Sequence, residues 1–156
     1  MTEQTSAKKT SLNASLITLL DRTLILPSTA IVEVVSISMP QVVTKMPRWF
    51  LGFLPWQGLR IPFISFEAIC GSSFRINANS NIVVLKTTTE SLQSKFYAML
   101  IQNTPSNCTV TEEAIMDVVG ELSRYELETV RINDHIAKIP NIPALEKLLI
   151  DTGVLN

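Results

Sequence analysis

Short apolar runs separated by polar breaks dominate the chain, and most of them alternate with the period of a strand rather than that of a helix. Leu16-Ile17-Thr18-Leu19-Leu20 and Thr23-Leu24-Ile25-Leu26 flank the polar pair Asp21-Arg22, which predicts a β-hairpin. Pro27 ends the second strand because it has no amide to donate to a ladder. In Ile31-Val32-Glu33-Val34-Val35-Ser36-Ile37, the positions Ile31, Glu33, Val35 and Ile37 share one face and Val32 and Val34 the other. Apolar groups on both faces predict a strand covered on both sides at its centre.

Between residues 39 and 62 the pattern changes. Pro40, Pro47, Pro55 and Pro62 recur too often for a long helix, so turns and short strands are expected there. Gly52 and Gly58 supply backbone angles that other residues adopt only at a cost. Leu59 to Phe66 follows as a strand, with Leu59, Ile61, Phe63 and Ser65 on one face, and Gly71 stops the segment. After a polar linker at Asn77-Ala78-Asn79-Ser80-Asn81, Ile82-Val83-Val84-Leu85 and Phe96-Tyr97-Ala98-Met99-Leu100-Ile101 read as strands. Thr104-Pro105-Ser106-Asn107 reads as a turn.

Thr111 followed by Glu112-Glu113, with Ile115, Val118, Val119 and Leu122 at helical spacing, predicts a helix within residues 111–125. A second hairpin follows, with Val130-Arg131-Ile132 and His135-Ile136-Ala137-Lys138-Ile139 around Asn133-Asp134. A closing helix begins near Pro143, places Leu145, Leu148 and Leu149 on one face, and is capped by Gly153. Many short strands with few helices imply an all-β barrel or a pair of barrels.

Composition narrows the function. The 156 residues suit one domain, and 46% apolar against 17% charged residues excludes a disordered chain. A net charge of −1 argues against a dedicated nucleic-acid binder, whose affinity rests on phosphate neutralisation. Acidic residues concentrate in 112–128. Met1 to Asn13 is polar and reads as a disordered tail without the apolar region of a signal peptide. No stretch reaches the ~18–20 apolar residues that span a bilayer. A soluble cytoplasmic protein is therefore expected.

Cys70 and Cys108 are too few for a disulfide framework or a zinc site and read as two small buried thiols. The single histidine, His135, adjoins a predicted turn and reads as solvated. Glu112, Glu113 and Asp117 could attract a hard cation but read more simply as the acidic start of a helix. Five glycines supply neither a phosphate loop nor a dinucleotide fingerprint. No enzyme, cofactor or metal is expected.

Two features stand out. Trp49, Phe50, Phe53 and Trp56 cluster in a chain with only 6% aromatic residues, which suits either ordinary packing or one or two rings at a partner surface. Glu33 places an acid among apolar neighbours, which needs a cation partner on a core face and resembles a docking surface on an exposed one.

The order of these segments resembles the CheW family of chemotaxis adaptors. Ile31-Val32-Glu33-Val34-Val35 matches its V-x-E-V strand and Pro47-Arg48-Trp49-Phe50-Leu51-Gly52 its P-x-x-x-x-G loop. The run from Pro55-Trp56-Gln57-Gly58 to Pro62 and Phe66 is similar to its N-L-R-G-x-x-x-P-x-x-D-L motif. Asn133 to Ile139 and Leu145 to Leu149 are similar to the closing hairpin and helix. Membership implies two intertwined, five-stranded, SH3-like barrels over residues 14–153. It also implies a non-catalytic scaffold between a methyl-accepting chemoreceptor tip and the regulatory domain of a CheA-type histidine kinase. By the same resemblance the receptor docks between the barrels, at positions matching Ile31, Glu33 and Gln57.

The family's arginine is replaced by Gln57 and its aspartate by Ser65, and Arg60 is a candidate substitute cation. The Asp21–Pro27 opening and the Trp56-Gln57-Gly58-Leu59 motif look closest to the ChpC branch, which serves type IV pili and twitching motility. Two other readings remain. One is single-stranded nucleic acid stacked on Trp49 and Trp56; the other is a small ligand held between the barrels.

Overall fold

The computed structural model describes residues 11–156. Of the tail expected to be disordered over residues 1–13, Ser11–Asn13 instead pair with Thr109–Thr111. The rest of that tail lies outside the described residues.

Two antiparallel-rich sheets make up the molecule. The first runs β8-β1-β2-β11-β10-β9 and the second β3-β6-β7-β5-β4. In the first lie β1 (Ser11–Thr18), β2 (Thr23–Pro27), β8 (Ser106–Thr111), β9 (Ile115–Val118), β10 (Glu126–Ile132) and β11 (His135–Pro140). The second holds β3 (Ile31–Ser36), β4 (Phe50–Trp56), β5 (Leu59–Ile64), β6 (Asn81–Lys86) and β7 (Phe96–Ile101). The chain starts in one sheet, builds the whole of the other, and returns, so the two units are intertwined.

Each sheet is rolled around its own core. Leu54, Ile61, Phe63, Ile82, Val84, Ala98 and Leu100 form one cluster, against which Val35 also packs, so both edge strands of the second sheet reach it. Ala14, Leu16, Ile25, Val130, Ile132 and Ala137 fill the first, with Val110 and Ile115 from its two edges. A third cluster joins the sheets: Ile17, Leu24 and Leu26 meet Val83, Leu85, Tyr97, Met99 and Ile101. Neighbouring residues such as Leu16 and Ile17, or Val83 and Val84, therefore enter different cores. This is why these strands read as continuous apolar runs.

Two helices complete the fold. Ser65 accepts a hydrogen bond from the Ala68 amide and starts α1 (Phe66–Ile69), so the strand expected to run to Phe66 stops at Ile64. Its Glu67, fully buried, accepts from the Leu20 amide at 2.9 Å and from Ser65 Oγ at 3.2 Å. The closing helix, α2 (Ile142–Thr152), matches its expectation: Asn141 caps it, Gly153 ends it at φ 86°, and Leu145 and Leu149 are buried.

Two expectations are overturned. First, residues 111–125 are not helical: β8 runs to Thr111, a tight turn follows, and β9 pairs with β10. The Thr111 side chain accepts from the Ala114 amide at 3.2 Å, the bond a helix cap makes, but the Thr111 carbonyl also accepts from Ala114 and closes a turn instead. The first sheet thereby gains a sixth strand, so the expected five holds only for the second. Second, β3 is an edge strand with Val32 and Val34 43% and 37% exposed, and it is not covered on both sides. The turns and short strands expected between residues 39 and 62 are present: Phe50–Trp56 forms β4, so the P-x-x-x-x-G loop ends at Trp49. The segment before it is strapped to that strand by paired hydrogen bonds between Gln41 and Phe53 of 2.8 and 3.0 Å. Gly52 allows the approach: a Cβ there would stand 2.5 Å from the Gln41 carbonyl oxygen.

Candidate functional site

The free edge of β3 carries the acid singled out from the sequence. Its register against β6 shifts between Ile31 and Glu33: Ile31 opposes Leu85, whereas Glu33 opposes Val84 and Val35 opposes Ile82. Leu85 belongs to the core between the sheets, and Val84 and Ile82 to the core inside the second sheet. The bulge therefore puts Ile31 and Glu33 on opposite faces, against the expected single face. Ile31 packs half-buried against the inter-sheet core, and Val34, opposite Val83, lies on the same side with its surface partly open.

Glu33 meets Trp56. The indole Nε1 donates to Glu33 Oε1 at 3.0 Å. β3 and β4 are the two edges of the second sheet, so this bond joins strands that share no ladder. The indole is fixed from behind by Phe96, edge-to-face with centroids 4.9 Å apart. Trp56 also closes a two-residue hairpin with Leu59, in which Gln57 and Gly58 take φ of 48° and 77°. Such positive angles at both positions define the turn that matches strand twist. Gln57 thus sits exposed at a hairpin tip beside Trp56.

The other expected residues are placed differently. Arg60 lies over the Phe53 ring, 4.4 Å from its centroid, and its Nε donates to Gln41 Oε1 at 3.1 Å. Trp49 packs half-buried against the inter-sheet core and edge-to-face on Phe50 at 6.4 Å. Trp49 and Trp56 therefore each rest against a core and do not form the paired free faces that base stacking uses. Phe96 as the support of Trp56 was not legible in the sequence, because that contact spans forty residues of chain. The strap was signalled only by a glycine inside a strand. It carries exposed apolar side chains, with Met39 and Val42 at 86% and 71% exposure.

A second polar cluster lies away from this edge. Arg22 donates to Glu126 and to Asp21, both at 2.8 Å, and to Ser72 at 3.2 Å. The Asp21 hydrogen bond holds the guanidinium pKa well above its usual range, and the same bond lowers the Asp21 carboxyl. An open cavity of about 470 Å³ beside them is lined by Cys70, Ser123 and Lys138 as well. Burial pushes the Cys70 thiol pKa up. Both cysteines are free and half-buried, less enclosed than expected. His135 is exposed at the start of β11, as its turn position implies. Among the described residues no group of His, Cys, Asp and Glu could hold a metal ion, and no helix is long and apolar enough to cross a membrane.

Two intertwined β-sheets, each rolled around its own core and joined by a third, make up a CheW-like architecture. The chain belongs to the CheW-like domain family, which it matches over residues 14–148. Its fold is similar to that of the scaffolding protein TtCheW from Thermoanaerobacter tengcongensis, with a TM-score of 0.78 and 16% identity. That match covers 94% of this chain and 100% of the other. No curated protein matches it significantly in sequence.

Proposed function

We propose that the chain is a non-catalytic adaptor of a bacterial chemosensory system. It acts in the cytoplasm and joins a methyl-accepting receptor's cytoplasmic tip to the regulatory domain of a CheA-type kinase. The observation that carries this reading is membership of the CheW-like family across almost the whole domain, together with the similar fold of a protein described as a scaffold. The receptor surface is the β3 edge with Ile31 and Glu33, extended by Gln57 and by Arg60 on the adjoining hairpin. Half-exposed Val32 and Val34 supply apolar area, and Glu33 supplies direction. Trp56 adds the partner-surface aromatic of this set, and Trp49 braces the segment behind it.

The Asp21–Pro27 opening and Trp56-Gln57-Gly58-Leu59 support the narrower assignment to a system controlling type IV pili and twitching motility. Transient contacts of about 1,200 Å² or less suit micromolar affinity. The test is calorimetric titration against a kinase regulatory domain and a receptor cytoplasmic fragment from the same genome. Micromolar binding to both is expected, and binding to neither removes the reading. Loss of twitching with intact pilus assembly in a deletion strain is the outcome expected of the narrower assignment.

A further inference from the structure

The geometry points to Trp56 as a positioning residue that holds the Glu33 carboxylate in a fixed orientation for a cation brought by the receptor. This inference rests on the docking role of the β3 edge proposed above. An exposed glutamate ordinarily samples many rotamers, and ordering it on binding weakens the complex. Here one oxygen is already engaged: Trp56 Nε1 donates to Oε1 at 3.0 Å. The indole is itself immobilised by Phe96 at 4.9 Å and by the two-residue hairpin that follows it. Among the described residues the second oxygen, Oε2, makes no hydrogen bond, and Glu33 is in no ion pair.

The chemistry of the partner follows from the choice of an indole. A tryptophan N–H is a donor without charge, so it orients the carboxylate without neutralising it. An arginine or lysine in the same place would cancel the anion. The position next to Trp56 is the neutral Gln57, and the Arg60 guanidinium is turned onto Phe53 and Gln41. The docking segment must therefore present its own arginine or lysine to Oε2. Preorganisation of this kind lowers the ordering cost of a charged contact and strengthens it selectively.

The test is a double-mutant cycle read by calorimetry. The unsubstituted chain, Trp56→Phe, Glu33→Gln and the double variant are titrated with the receptor cytoplasmic fragment at low and high salt. Trp56→Phe keeps the ring on Phe96 and removes only the donor, so its affinity should fall about three- to tenfold. Glu33→Gln should lose about tenfold and most of the salt dependence. The double variant should bind within about twofold of Glu33→Gln, because the indole acts only through the carboxylate. Unfolding midpoints separate this from a structural role, and that of Trp56→Phe should stay within about 2 °C of the parent.

Unaltered affinity of Trp56→Phe, or losses that multiply in the double variant, overturns the inference. If Trp56→Phe does not fold, the indole N–H cross-peak of Trp56 in the unsubstituted chain decides. It should shift on addition of the fragment, and an unmoved peak overturns the inference equally. Absence of binding by the unsubstituted chain is a different result, because it removes the adaptor reading and this inference with it.

Discussion

Replacing Glu146 by glutamine perturbs the tie between the closing helix and the loop that leads into β7. The carboxylate is fully buried, and its two oxygens serve two consecutive threonines. Thr88 N donates to Oε2 at 2.7 Å and Thr89 N to Oε1 at 2.9 Å, and both hydroxyls donate as well, that of Thr89 at 2.6 Å. An amide has one acceptor oxygen. Whichever way the Gln side chain turns, its NH₂ faces a backbone N–H that then has no partner. An unsatisfied donor costs about 1–3 kcal/mol, and the partial exposure of this loop places it in the lower half of that range.

Loss of charge weakens the remaining bond by a further fraction, so a total of about 2 kcal/mol is expected. For a chain of this size that lowers the unfolding midpoint by about 4–8 °C. Equilibrium urea unfolding should give the same loss with an unchanged slope. A difference below about 0.5 kcal/mol would refute the claim that Glu146 holds the loop. The consequence reaches the docking edge, because the loop ends at Phe96, on which Trp56 rests.

Gly52→Ala should cost at least about 2 kcal/mol in urea unfolding, since φ is 137° and the added carbon meets the Gln41 backbone at 2.5 Å. Gly58→Ala, at φ 77° with nothing within 4 Å, should cost about 1 kcal/mol, and the reverse order contradicts the strap. Asp21 has its folded pKa depressed by Arg22, so its contribution to stability is complete above about pH 4 and is lost as pH falls through the lowered value. Asp21→Asn should flatten the acid limb of the stability profile below pH about 4, and coincident limbs contradict the pairing. Iodoacetamide should label Cys70 slowly at neutral pH and faster as pH rises past about 9, because burial raises its thiol pKa. Rapid neutral labelling at Cys70, read by mass spectrometry, contradicts that environment.

The elements most legible in the sequence were those whose signals are local. Asn133-Asp134 closes its hairpin, with Asn133 at φ 55°, and Gly153 ends the last helix as a left-handed cap. The apolar runs of β6 and β7 were readable as strands because successive apolar residues enter two different cores. Thr111 misled because a helix cap and a β-turn use the same side-chain bond to the third amide, and only pairing with β10 chooses between them. The bulge in β3 leaves no trace in the alternation of Ile31 to Ile37, yet it reverses the relative facing of Ile31 and Glu33. Glu33 itself was conspicuous as an acid among valines. Its indole partner was not, because that bond joins residues twenty-three apart on the two opposite edges of one sheet. The side to which Arg60 turns was likewise decided by Gln41, brought in by the strap.

Backbone amide shifts of the isotopically labelled chain, followed while a receptor cytoplasmic fragment is added, bear most directly on the β3 edge as the docking surface. The largest changes should fall on residues 31–36 and 56–60, with saturation in the micromolar range. Changes confined to β8, β9 and β10 of the other sheet, or none at all at saturating fragment, would contradict the account.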